Sequence, residues 1–136
     1  MDSLSIVPLT PGQQYATLNH VENVKDLQHL PVHVPWWDEG DKPCIVLVRG
    51  TNFEERRLIE QKAKDDKHEA ALLTVIYGSV DPRFTEQHKV MLAKKHPDSI
   101  DALAFTIDLL GKYDAQTVLD TVEQAAKRLI EAEIAT

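Results

Sequence analysis

The run Cys44-Ile45-Val46-Leu47-Val48 constrains this chain more than any other stretch. Adjacent β-branched residues lose side-chain freedom in a helix and pack well on a pleated backbone, so the run specifies a strand. Before it, Val32-His33-Val34 alternates, and Asp38-Glu39-Gly40-Asp41-Lys42-Pro43 supplies turn chemistry between the two runs. A hairpin with a long loop is predicted. Two strands alone are marginal in water, so they must pack on helices or extend another chain's sheet. After Arg49 the pattern changes, and apolar residues recur at helical spacing behind capping residues. The predicted fold is therefore mainly α, a small N-terminal β-hairpin packed on about five helices.

The helical part can be read segment by segment. Thr51-x-x-Glu54 has the form of a capping box, with Phe53, Leu58, Ile59 and Ala63 near one face. Asp66 starts a second helix, whose stripe is Leu72, Leu73, Ile76, Tyr77 and Val80. Asp81-Pro82 stops it, because proline disfavours helical geometry in the residue before it. Thr85 is a cap for Glu86 to Lys95. Asp98 is a cap for a helix that turns Ile100, Leu103, Ala104, Ile107 and Leu110 inward and stops at Gly111. Asp114 caps the last, where Val118, Val122, Ala125 and Leu129 recur at alternating spacings of four and three. Residues 1–30 carry early breakers at Pro8, Pro11 and Gly12, and a short helix is expected between Val21 and Leu30, ended by Pro31. They are read as a loosely ordered leader, expected to be the most mobile part, ahead of one helical domain over residues 31–136.

Composition then excludes whole classes. The net charge of −7 opposes a nucleic acid backbone or an anionic membrane surface as partner and suits a basic one. The single cysteine, Cys44, rules out an internal disulfide framework and reads as a small core hydrophobe. No run approaches the roughly 18 apolar residues of a membrane span. No basic-then-apolar N-terminal signal is present, so a cytoplasmic location is expected, that of the host cell if the protein is viral.

Catalytic patterns are missing. The histidines at 20, 29, 33, 68, 88 and 96 form no His-Glu-x-x-His pair, and the glycines form no phosphate-cradling loop. Asp65-Asp66 and Asp98-x-x-Asp101 read as helix N-terminal charges rather than as an acid–base pair. A metal-free hydrolase with a site hidden from sequence is unsupported rather than excluded; the reading is of a protein that is not an enzyme and takes no metal or organic cofactor. Two features remain as candidate partner-binding residues. Of Trp36 and Trp37, adjacent on a strand, one ring can enter the core while the other faces out as an anchor; alternatively both cover the hairpin's packing. The stripe of Val118, Val122 and Leu129 is either core or a seam for a partner helix.

The order of these pieces resembles the tail assembly chaperones of long-tailed bacteriophages. The matching residues are Trp37, Val48-Arg49, Glu55-Arg56, Val80-Asp81-Pro82, Phe84-Thr85-Glu86 and Leu103 to Gly111, covering about residues 34–115. Arg83 alone separates Pro82 from Phe84, where the family often carries a short Gly-containing insert. The resemblance implies a chaperone that binds and solubilises the tape measure protein during tail tube assembly. It further implies tail tube subunits as partners where a frameshift-extended form exists. A small acidic phage or host-interaction protein of inhibitor type, binding without catalysis, is the alternative.

Overall fold

The computed structural model describes residues 11–12 and 15–124. A helix α1 (Leu18–Asn23) precedes strand β1 (His29–His33), a 3-10 turn at Pro35–Trp37 and strand β2 (Ile45–Arg49). Helices α2 (Phe53–Ala63) and α3 (Lys67–Gly78) follow, then strand β3 (Ser79–Asp81) and a 3-10 turn at Glu86–His88. Helices α4 (Lys89–Ala93) and α5 (Pro97–Leu110) and a helical stretch over residues 115–124, here α6, complete the described chain. The fold is mainly α with a small antiparallel sheet packed on helices, as the sequence predicts.

The hairpin forms with Leu30 opposite Val48 and Val32 opposite Val46. In β2, Val46 and Val48 are buried while Ile45 is exposed, as period-2 alternation requires. The first strand begins earlier than Val32 and runs through Pro31. That is allowed because β1 is an edge strand, where a missing N–H leaves no ladder bond unmade. The short helix also differs from expectation, occupying Leu18–Asn23 instead of Val21 to Leu30. Thr17 accepts from the His20 N–H and starts it early, while Leu30 is drawn into pairing with Val48.

The largest departure is at the end of α3. The helix stops at Gly78, and Ser79–Asp81 becomes a third strand on the free edge of β2. Val80, expected in the helical stripe, is instead the extra residue of a bulge, since Leu47 faces Asp81 while Val48 faces Ser79. Ser79 makes this stop possible: its buried Oγ donates to the Ile76 carbonyl at 2.9 Å and accepts the Phe84 N–H at 2.9 Å. An otherwise orphaned helix-end carbonyl is thereby satisfied. Asp81-Pro82 then closes the strand with a cis peptide bond.

Helix starts shift by one or two residues. Asn52, not Thr51, caps α2, in a capping box with Glu55 instead of Glu54. His96, not Asp98, caps α5; Pro97 takes the first helical position, where no N–H is needed, and Asp98 sits in the first turn. The segment behind Thr85 is not one helix to Lys95 but a 3-10 turn followed by α4. Asp66 and Asp114 cap as expected, Asp114 accepting the Thr117 N–H at 2.8 Å.

The core joins Val34, Val46 and Val48 of the sheet region to Leu73, Val75 and Ile76 of α3, Leu92 of α4, and Leu103, Ile107 and Leu110 of α5. All five residues expected to face inward on α5 are buried. Phe53, expected on the inner face of α2, is exposed, because six residues at about 100° each place it about 120° around the helix from Ile59. Cys44 is a half-buried free thiol packed against the core.

Candidate partner-binding groove

An open groove of about 440 Å³ lies between α3, α4 and α5. Its walls are Ala71 and Leu72 of α3, Leu92 and Ala93 of α4, and Pro97 and Ile100 at the start of α5, with His68, Lys95 and Asp101 at the rim. The groove exists because small residues stand where helices would otherwise meet. Ala71 and Ala93 are too short to close the space that Leu72 and Ile100 leave between them.

Helix α4 is too short to hold itself in place, so side chains do it. Leu92 is fully buried under it. The Lys89 ammonium pairs with the Glu69 carboxylate of α3. At its leading end, the Thr85 N–H donates to His88 Nδ1 at 2.9 Å, and the His88 ring stands edge-on to Phe84. Nearby, Lys62 of α2 bridges Glu86 Oε1 at 2.7 Å and the Tyr77 hydroxyl at 3.0 Å. The Glu86 carboxylate and then the Tyr77 hydroxyl push the Lys62 ammonium up to about 12.

The tryptophans pack at the N-terminal end of α5, against His96 and Ser99. They do not lie on a strand: Pro35–Trp37 is a 3-10 turn, so the two rings are separated by helical rotation instead of strand alternation. Trp37 is half-buried, its Nε1 donating to Ser99 Oγ of α5 at 3.2 Å and its ring edge-on to Phe84. Trp36 is 48% exposed and stacks on the His96 ring, centroids 5.7 Å apart. His96 lies between Lys95 and Pro97 in sequence, but neither it nor Trp36 is among the residues lining the groove. One ring in and one ring out is among the arrangements the sequence left open. The loop carrying them is fixed by Asp38, which accepts the Cys44 N–H at 2.7 Å and faces His33 Nε2 at 2.9 Å. The Cys44 N–H and then His33 hold the Asp38 carboxyl below its ordinary range.

The other candidates lie elsewhere. Val118 is fully buried and belongs to the core, so it cannot present itself to a partner. Val122 is half-buried against the same core, and Leu129 lies outside the described residues. The structure does not bring these to Trp36: α6 begins beyond the C-terminal end of α5, whereas Trp36 rests at its N-terminal end. Sequence reasoning named Leu72 and Ile100 only as inward-facing residues and missed Ala71, Leu92, Ala93 and Pro97 as groove walls. The available signal was an alanine facing the apolar stripe on each of two neighbouring helices.

The motif residues Val48-Arg49 and Glu55 meet in space. Arg49 and Glu55 form a bidentate pair, with both nitrogen–oxygen distances 2.8 Å. Among the described residues no cluster of His, Cys, Asp or Glu converges as a metal set. No helix among them is long and apolar enough to cross a membrane. Compared with protein-family models, curated proteins and solved structures, the chain has no match.

Proposed function

We propose that this protein is a helix-binding chaperone of the phage tail-assembly kind, which holds an apolar face of the tape measure protein in the groove between α3, α4 and α5. The observation that carries the reading is the groove itself, open and walled mostly by apolar side chains of three helices. Apolar grooves of this kind accept one face of an amphipathic helix, and the exposed Trp36 offers further anchoring area apart from the groove. The resemblance to tail assembly chaperones supplies the partner: a long helical protein whose apolar faces aggregate unless covered. The rim carries Lys95 and Asp101, one charge of each sign, while the net charge of −7 suits a client with basic segments and keeps loaded complexes apart.

Co-expression with a phage tape measure protein tests the reading. The tape measure protein should stay in the supernatant and co-purify with the wild-type chain. The Ala93→Arg variant, whose side chain fills the groove from an exposed position, should lose that capture while melting normally. A tape measure protein that precipitates equally with and without the folded wild-type chain would overturn the proposal.

A further inference from the structure

We infer that His88 and His96 make the segment carrying α4 a pH-sensitive wall of the groove, held in place while both imidazoles are neutral and loosened when they are protonated. The inference concerns α4 itself and does not depend on which client the groove takes.

The two rings do the same job at opposite ends of one segment. His88 Nδ1 accepts the Thr85 N–H at 2.9 Å and closes the 3-10 turn that leads into α4. His96 Nδ1 accepts the Asp98 N–H at 3.1 Å and caps α5, which begins just after α4. A backbone N–H can only donate, so each Nδ1 must be bare and each ring must carry its proton on Nε2. An imidazolium has an N–H at both positions and accepts at neither. Protonation therefore sets N–H against N–H at each end of the segment. The bonds exist on the alkaline side of the range in which imidazole titrates, roughly pH 5 to 8, and are lost as pH falls through it.

Helix α4 depends on those ends. It is five residues long, too short to persist on its own propensity. Its other ties among the described residues include the fully buried Leu92 and the Lys89–Glu69 pair, while Val90 and Met91 are exposed. Leu92 and Ala93 are what α4 contributes to the groove. A segment freed at both ends moves that wall, so a ligand seated against it is held more weakly in acid.

The surroundings of the rings differ. Around His88, the carboxylates of the turn and of α3 are taken: Glu86 pairs with Lys62 of α2, which also donates to the Tyr77 hydroxyl, and Glu69 pairs with Lys89. Arg83 precedes the turn, and the half-buried ring stands edge-on to Phe84. Protonated His88 thus loses its bond among carboxylates that lysines already hold. Exposed His96 is compensated: Asp98 Oδ2 lies 3.9 Å from the same Nδ1, and the stacked Trp36 ring favours a cation, against the charge of the adjacent Lys95. His88 therefore carries the larger share of the response.

Hydrogen exchange on the full chain near pH 7.5 and near pH 5.5, corrected for intrinsic exchange rates, tests this. Relative to α3, the α4 amides should lose about fivefold protection for a broken cap bond. His88→Asn, whose side-chain oxygen can accept the same N–H without titrating, should remove most of that loss, and adding His96→Asn the rest. His68→Asn, at the groove rim, should respond like wild type. Equal α4 protection at both pH values in the wild type overturns the inference, as does a folded double Asn variant that keeps the full loss. Nitrogen NMR of the wild-type imidazoles needs no variant: near pH 8 both rings should carry the proton on Nε2, and an Nδ1-protonated tautomer at either overturns the inference as well. Client capture is read separately. A pH-sensitive α4 without capture sinks the chaperone reading alone, and capture with an α4 indifferent to pH sinks this inference alone.

Discussion

Glu55 ties two elements together through one carboxylate. Its oxygens accept from Arg49 at the end of β2 and, at 2.9 Å, from the Asn52 N–H, while its own N–H donates to Asn52 Oδ1 at 2.8 Å. Burial pushes its carboxyl up, but the Arg49 hydrogen bonds and the Asn52 N–H outweigh that and hold it below the ordinary range. The same bonds raise the Arg49 guanidinium. A carboxyl depressed in the folded state adds stability that is present above its unfolded pKa of about 4.3 and is lost as pH falls through the folded value. Glu55→Gln should therefore cost about 1–3 kcal/mol at pH 7, the range for leaving a charged partner imperfectly paired. Urea titrations of both proteins at neutral pH and near pH 3 check this. The gap should shrink on acidification, and an equal gap at both ends would assign Glu55 a purely steric role. Arg49 and Glu55 were each legible in the sequence as motif residues. Their contact was not, because it crosses the loop from strand to helix and no periodicity spans that turn.

At the level of elements, apolar spacing located the helices and tertiary contacts decided where they end. The stripe of α5 was readable in full because five inward residues at helical spacing leave no other face to bury. The end of α3 was not readable, since the run to Val80 is as apolar as the helix before it. Two facts outside the run settle it: β2 has a free edge, and Gly78 must pass Ile107 closely. A Cβ on Gly78 would lie 2.6 Å from two carbons of the buried Ile107 side chain. Gly78→Ala should destabilise the protein by about 1–3 kcal/mol, the usual cost of overpacking. Adding Ile107→Val removes a clashing carbon, so the double variant should be more stable than the two single losses summed. Chemical denaturation of the three variants measures the coupling, and strict additivity would place the strain elsewhere. The Val118 stripe shows the converse. Its spacing suits a core face and a partner seam equally, and only burial tells them apart.

Across the whole molecule, the groove was the least legible feature, because its walls come from three helices and its volume from what alanines leave empty. The body around it is continuous: Val46 and Val48 of the sheet pack with Leu73 of α3, Leu92 of α4, and Leu103 and Ile107 of α5. Helix α1 joins that body, among the described residues, through the Gln28 hydrogen bonds and the strand that follows. Opening free energies should divide the same way, since amides over buried contacts exchange only when the body opens as a whole. Hydrogen exchange on dilute protein should therefore find β2, α3 and α5 slowest and α1 fast. If α1 exchanges as slowly as α3, it belongs to the body of its own chain, and its exposed Leu18 and Val21 would then be covered in solution.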